Sequence, residues 1–208
     1  MDAQKSRIRF DLIDRSRIDY LKIDNRVLSQ VEVTAILYQL RYNYHHQLIF
    51  KLAISTGMRP EEIAEIRLRD LNPENHSISI RNTGECTTEW VERVIGLHPS
   101  LFMEIMRYAR SSKTSDYLFI GRGENMSWRS IAYILQKPRS SVPGKLISIR
   151  TFQDSAAICY LQKGVSTFEL GYLLGHNNWK SLKRRLKKIA GGENGRIELF
   201  NSIFLKTA

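Results

Sequence analysis

The sequence predicts a mainly helical α+β domain that carries one small antiparallel sheet. Three observations lead there. Apolar residues recur at i, i+3, i+4 spacing through most of the chain. Only residues 76–82 and 88–97 alternate in the two-residue period of strands. Between them, residues 83–87 carry the glycine of a turn, so the two segments predict a hairpin.

The elements follow in order. Residues 1–27 are polar, mixed in charge and without period, and predict an arm. Ser29 and Glu32 have the spacing of a capping box, in which each side chain satisfies the other's backbone N–H. Val33, Ile36, Leu37 and Leu40 then line one helical face. A second helix over about 45–55 turns Leu48, Ile49, Leu52 and Ala53 inward, and Gly57 ends it as a C-cap. Pro60 suits the first turn of the next helix, and Glu61 and Glu62 suit its positive end. Helices are expected over 99–110, 127–136, 152–163, 166–174, 179–189 and 196–205, with a loop at 137–145. The organisation read from this is an arm at 1–27, a main domain at 28–190, and a hinge with a C-terminal docking helix at 191–208.

A chain of 208 residues can bury a full core without staples. Cys86 and Cys159 stand far apart, which predicts reduced thiols, with Cys159 in the core. The five histidines do not form a metal set: His45 and His46 are adjacent, and neighbours on a helix point apart. No metal or cofactor is expected. The net charge of +11 is lopsided. Residues 1–120 hold 17 basic and 16 acidic side chains, whereas residues 121–208 hold 15 and 5. Such a one-sided excess points to a polyanionic partner, with double-stranded DNA first. The N-terminus is charged, and no apolar run approaches the roughly 18 residues of a membrane helix, so no membrane partner is expected. The expected setting is the cytoplasm, on the nucleoid.

Residues 54–72 carry Thr56, Gly57, Arg59, Glu62, Ile63, Ile66 and Asp70, and residues 172–176 read Tyr-Leu-Leu-Gly-His. These resemble two boxes of the tyrosine recombinase, or phage integrase, family. The resemblance covers about residues 28–190 and implies that family's catalytic-domain fold, without the N-terminal DNA-clamping domain of most members. It also implies a site in which two arginines, a lysine and histidine-like groups surround a phosphodiester while a tyrosine attacks. Fixed guanidinium forks stabilise the charge gained in attack, and a covalent step divides one hard exchange into two.

Carried over one residue at a time, the resemblance places Arg59 at the first arginine and His176 at the third-box histidine. Asn82 falls at the lysine position, with Arg81 one residue off. Counted without a gap, Arg150 falls at a histidine position and Gln153 at the second arginine; a three-residue slip makes Arg150 the arginine and leaves Ile147 at the histidine. The tyrosine position, nine residues after His176, is Arg185, and residues 177–208 contain no tyrosine. Tyr160 and Tyr172 precede His176 on helices expected to pack inward. The resemblance therefore implies a descendant that has lost recombinase activity, with Arg59 and His176 as remnants.

The expected DNA ligands are Arg59, Arg81, Arg150, Gln153, His176, Lys180, Lys183, Arg184, Arg185, Lys187 and Lys188. Gln153 is a candidate for base contact and shares a helix face with Arg150. Trp179, Leu182, Leu186 and Ile189 form the apolar stripe of the 179–189 helix, and six lysines and arginines cover the rest. A regulator or accessory factor of transcription, recombination or mobile-element maintenance is the leading expectation. An active strand transferase with another nucleophile is the first alternative. A protein-interaction module is the second. Residues 196–208 are apolar enough to dock on a second copy, on an active recombinase or on another DNA-bound protein.

Overall fold

In a computed structural model, residues 27–81, 92–111, 115–122, 124–175 and 179–189 are described. Helix α1 spans Gln30–Gln39, and its capping box is formed: Ser29 Oγ accepts from Glu32 N, and Glu32 Oε2 accepts from Ser29 N at 2.7 Å. The chain entering α1 is tied down from two sides. Lys145 Nζ donates to Glu32 Oε2 at 2.6 Å and to the Val27 carbonyl oxygen at 2.7 Å. Leu28 N donates to Ser155 Oγ at 2.9 Å. Val27 is buried, so the packed unit takes in the residue placed at the end of the arm.

Helix α2 (Tyr44–Thr56) is the central element. The expected inward residues Leu48, Ile49, Leu52 and Ala53 are buried, and so is Phe50. Its broad apolar face packs against α4 (Pro99–Ser111), α5 (Trp128–Gln136) and α6 (Ile149–Gln162), while Lys51 stays partly exposed and pairs with Glu104 at 2.7 Å. Gly57 ends α2 in the left-handed conformation, at φ 68°, and its N–H donates to the Ala53 carbonyl oxygen. Pro60 opens α3 (Pro60–Ala64).

The sheet has three antiparallel strands in the order β1 (Leu71–Asn72), β2 (Ser77–Ile80) and β3 (Arg93–Gly96). Its register pairs Ile78 with Ile95 and Ile80 with Arg93. Strand β1 is two residues long, too short to show a period in the sequence. The turn expected at 83–87 lies outside the described residues. Helices α7 (Thr167–Leu173) and α8 (Trp179–Ile189) complete the fold.

Three expectations are corrected. A 3-10 helix occupies Lys137–Ser141, where a loop was expected; it runs on directly from α5 and accommodates Pro138 at φ −76°. Cys159 is exposed rather than core. Ala156, Ala157, Tyr160 and Leu161 define the buried face of α6, and Cys159 falls opposite it. Tyr172 does not pack inward but is 46% exposed, with its hydroxyl donating to the Glu92 carbonyl oxygen. Tyr160 is fully buried as expected.

His45 is half-buried, joined to the Tyr108 hydroxyl and packed edge-on to Phe119. Among the described residues, no group of His, Cys, Asp and Glu is arranged to hold a metal ion. No helix among them is long and apolar enough to cross a membrane.

Candidate nucleic-acid interface

The path of residues 56–62 sets the position of Arg59. Gly57 turns the chain out of α2, and Met58 buries its side chain in the core, which is worth about 1.5–3 kcal/mol. Arg59 then takes an extended conformation as the residue before α3, and its side chain is left exposed. Glu62 Oε2 accepts from Arg59 N at 2.8 Å and fixes this corner. Arg59 Nη2 reaches 3.5 Å from the Gly175 carbonyl oxygen, so the two boxes meet here.

Their contact explains both glycines. A Cβ on Gly57 would lie 2.6 Å from Leu174 Cδ2 and 3.2 Å from Ala156 Cβ. A Cβ on Gly175, at φ 62°, would lie 2.8 Å from Arg93 Nη1. We expect Gly57→Ala to cost about 2–5 kcal/mol, from left-handed strain plus overpacking. A urea titration checks this, and an unchanged midpoint would show that the Leu174 contact is not tight.

Arg93 was missed by sequence reasoning. Its Nε donates to the Leu173 carbonyl oxygen at 2.9 Å, and its Nη2 pairs with Glu62 Oε1 at 2.7 Å. Both side chains are nearly solvent-free, at 3% and 9% exposure. One carboxylate thus holds the start of α3 and, through Arg93, the end of α7. The available signal was the strand period, which puts Arg93 on the inward face with Ile95.

Helix α6 brings Arg150 and Gln153 to different environments. Arg150 is exposed. Gln153 is buried, and its Cα lies 3.6 Å from a Cβ built on Gly57. The expected base contact by Gln153 is therefore corrected: the close packing of α6 on the end of α2 removes it from solvent. The next residue, Asp154, is also buried, and its Oδ1 lies 2.9 Å from Arg185 Nε on α8. Sequence reasoning missed Asp154 as well, because its partner is 31 positions away with no intervening pattern.

Arg185 is likewise corrected as a member of an exposed basic face, because it turns inward and only 16% of its side chain is exposed. Burial pushes its guanidinium below the ordinary value and Asp154 opposes this, while the positive charges of Arg150 and Arg59 add to the lowering. The guanidinium stays charged, as arginines in proteins do. Arg59 and Arg150, from two other parts of the chain, thus both act electrostatically on Arg185.

The other expected ligands are placed as follows. Arg81 is 54% exposed and pairs with buried Asp70 at 3.3 Å. On α8, Leu182 and Leu186 are buried as expected, Arg184 is exposed and Lys183 is half-buried. Lys180, Lys187 and Lys188 lie within α8. Asn82 and His176 fall outside the described residues, as do residues 1–26 of the arm and the docking helix.

The order of helices around a three-stranded antiparallel sheet, with the two boxes packed together, defines a tyrosine recombinase catalytic-domain fold. Residues 26–187 match the phage integrase family, and the chain belongs to that family. It is similar to tyrosine recombinase XerA of Pyrococcus horikoshii, at 27% identity over 189 residues covering 86% of this chain and 64% of the relative. The chain thus spans less than two thirds of that relative's length. A crystal structure of XerA recombinase superposes with a TM-score of 0.66 at 16% identity, over 87% of this chain and 64% of the other. The Tn1549 transposon integrase, solved in complex with transposon right end DNA, superposes with a TM-score of 0.63 at 16% identity, over 88% and 66%.

Proposed function

We propose that this protein binds duplex DNA on a tyrosine recombinase fold and holds the backbone without cutting it. The observation that carries the reading is at residue 185. An arginine stands nine residues after His176 and is turned toward Asp154, while residues 177–208 contain no tyrosine. Loss of a nucleophile alone costs on the order of 10⁶-fold in a well-studied catalytic triad. Exposed Arg59 and Arg150 remain, and each is suited to a forked contact with a phosphate. Membership of the phage integrase family supports DNA as the polyanion. The tasks that fit are occupying a recombination or replication site, regulating transcription, or assisting an active recombinase. The protein then acts in the cytoplasm on the nucleoid, and residues 196–208 supply a surface for a second copy or for another DNA-bound protein.

The competing reading is a strand transferase with another nucleophile. Tyr172 gives it a concrete candidate, being exposed and three residues before Gly175, whose carbonyl oxygen faces Arg59. A nicked suicide duplex decides between the two. We expect salt-sensitive binding and no covalent product on a denaturing gel. An adduct that disappears in Tyr172→Phe would overturn the non-cutting reading.

A further inference from the structure

Residues 33–60 contain no acidic side chain, although they carry Arg41, Lys51 and Arg59. The acids that border them are occupied: Glu32 pairs with Lys145, and Glu104 with Lys51. Within this stretch, Arg41 and Tyr42 are the central residues of the turn that joins α1 to α2. Asn43 N closes that turn on the Leu40 carbonyl oxygen at 2.9 Å, and Leu40 is buried. Asn43 then caps α2, its Oδ1 accepting from His46 N at 3.1 Å. The turn is thus anchored on both sides of its two central residues.

Both of those residues are outward. Tyr42 is 87% exposed, and Tyr38, one helical turn back on α1, is 66% exposed. The Arg41 guanidinium carbon lies 4.0 Å from the centre of the Tyr38 ring and 4.3 Å from that of Tyr42. Arg41 Nη1 donates to the Tyr38 carbonyl oxygen at 2.8 Å, which holds the fork in place. Arg41 is itself exposed, and no carboxylate among the described residues pairs with it. Polar groups continue the surface. Gln39 Nε2 donates to Ser140 Oγ at 3.1 Å, and Gln39 Oε1 accepts from Ser141 Oγ. Both serines belong to the 3-10 helix that begins at exposed Lys137.

Exposed rings beside a cation that no acid neutralises suit an anion that carries flat rings of its own. The bases of a duplex are stacked on one another and offer only their edges in the grooves. Those of a single strand are free to stack on tyrosine, while its phosphates meet the arginine. The place is also separate from the Arg59 corner, because the 13 residues of α2, about 20 Å of helix, lie between them.

We infer that the α1–α2 turn is a binding site for single-stranded DNA, in which Tyr38 and Tyr42 stack on bases and Arg41 holds a phosphate between them. The inference goes beyond the duplex-binding reading and does not depend on it. With both sites filled, one chain holds a duplex near Arg59 and an unpaired strand at the other end of α2.

The test uses the full chain and a labelled oligothymidine of about 12 nucleotides, with binding followed by anisotropy across a salt series. An oligomer of equal length made of abasic sugar phosphates serves as the charge control. Tyr38→Ala and Tyr42→Ala leave the net charge unchanged, so they report stacking alone. We expect each to weaken thymidine binding roughly tenfold, with the salt slope, the urea midpoint and duplex affinity as in the parent. Tyr42→Trp should keep or tighten binding, and Arg41→Gln should lower the single-strand slope by about 0.7. The abasic oligomer should bind the parent weakly and ignore both tyrosine changes. Equal affinity of the parent for the two oligomers would overturn the inference, since the bases would then contribute nothing. So would parental thymidine affinity in both tyrosine variants. If those variants instead lose binding of a glutamate-rich peptide and keep that of thymidine, the face belongs to an acidic protein segment and the single-strand site is ruled out.

Discussion

Arg93→Ala is expected to destabilise the fold by about 3–5 kcal/mol, the usual effect of removing one member of a buried ion pair. Its guanidinium is 3% exposed and serves two partners, Glu62 Oε1 and the Leu173 carbonyl oxygen. The alanine variant leaves the Glu62 carboxylate buried with its opposite charge gone and uncovers the underside of Gly175. For a domain of this size each kcal/mol lowers Tm by about 2–4 °C, so a fall of about 10 °C is anticipated. Replacing both members, as in Arg93→Met with Glu62→Leu, should recover much of that loss, because the penalty lies mainly in the orphaned charge. A calorimetric scan of both variants checks this. The idea fails if Arg93→Ala melts with the parent. The same carboxylate accepts from Arg59 N, so partly folded Arg93 variants should also bind DNA more weakly.

The second large effect concerns the basic residues of α8. Changing Lys180, Lys183, Arg184, Lys187 and Lys188 to glutamine should lower the salt slope of duplex binding by about 0.9 for each side chain that meets a phosphate. If all five do so, the slope falls by about four to five. Stability should hold or rise slightly. Lys180 and Arg184, Lys183 and Lys187, and Arg184 and Lys188 are like-charge pairs at i, i+4, each unfavourable by a few tenths of a kcal/mol in the free protein. The measurement is anisotropy at several salt concentrations, with a urea titration alongside. A slope equal to the parent's would mean that α8 faces away from DNA and that its charge serves solubility.

Local chemistry made much of the fold legible before any coordinates. Ser29 and Glu32 are three residues apart, and the box they form depends on little else. Gly57 and Pro60 mark the end of one helix and the start of the next, because glycine enters the left-handed cap freely and proline is held at a helical φ. The apolar stripe of α8 was readable from Leu182 and Leu186, since a helix fixes which residues share a face. The first-box arginine was legible through the family resemblance, whereas the burial of Met58 that leaves Arg59 exposed was decided by the fold.

Other features depend on partners distant in the chain. Arg150 and Gln153 share a helix face by spacing, yet Arg150 is exposed and Gln153 buried, because the end of α2 covers only part of that turn. Arg93 reads as an ordinary strand residue until Glu62 and Leu173 are brought beside it. Arg185 reads as one of six basic residues until Asp154 is placed under it.

By itself, then, the sequence determined the helical order, the family, the lopsided charge, and the presence of an arginine where the resemblance expects a tyrosine. Each is a matter of residue type, spacing or composition along the chain. Only the tertiary structure decided which cations face outward and which are held by buried carboxylates, as Arg93 is by Glu62 and Arg185 by Asp154. Those outcomes depend on desolvation and on charges brought together from separate elements, and neither exists until the chain has folded.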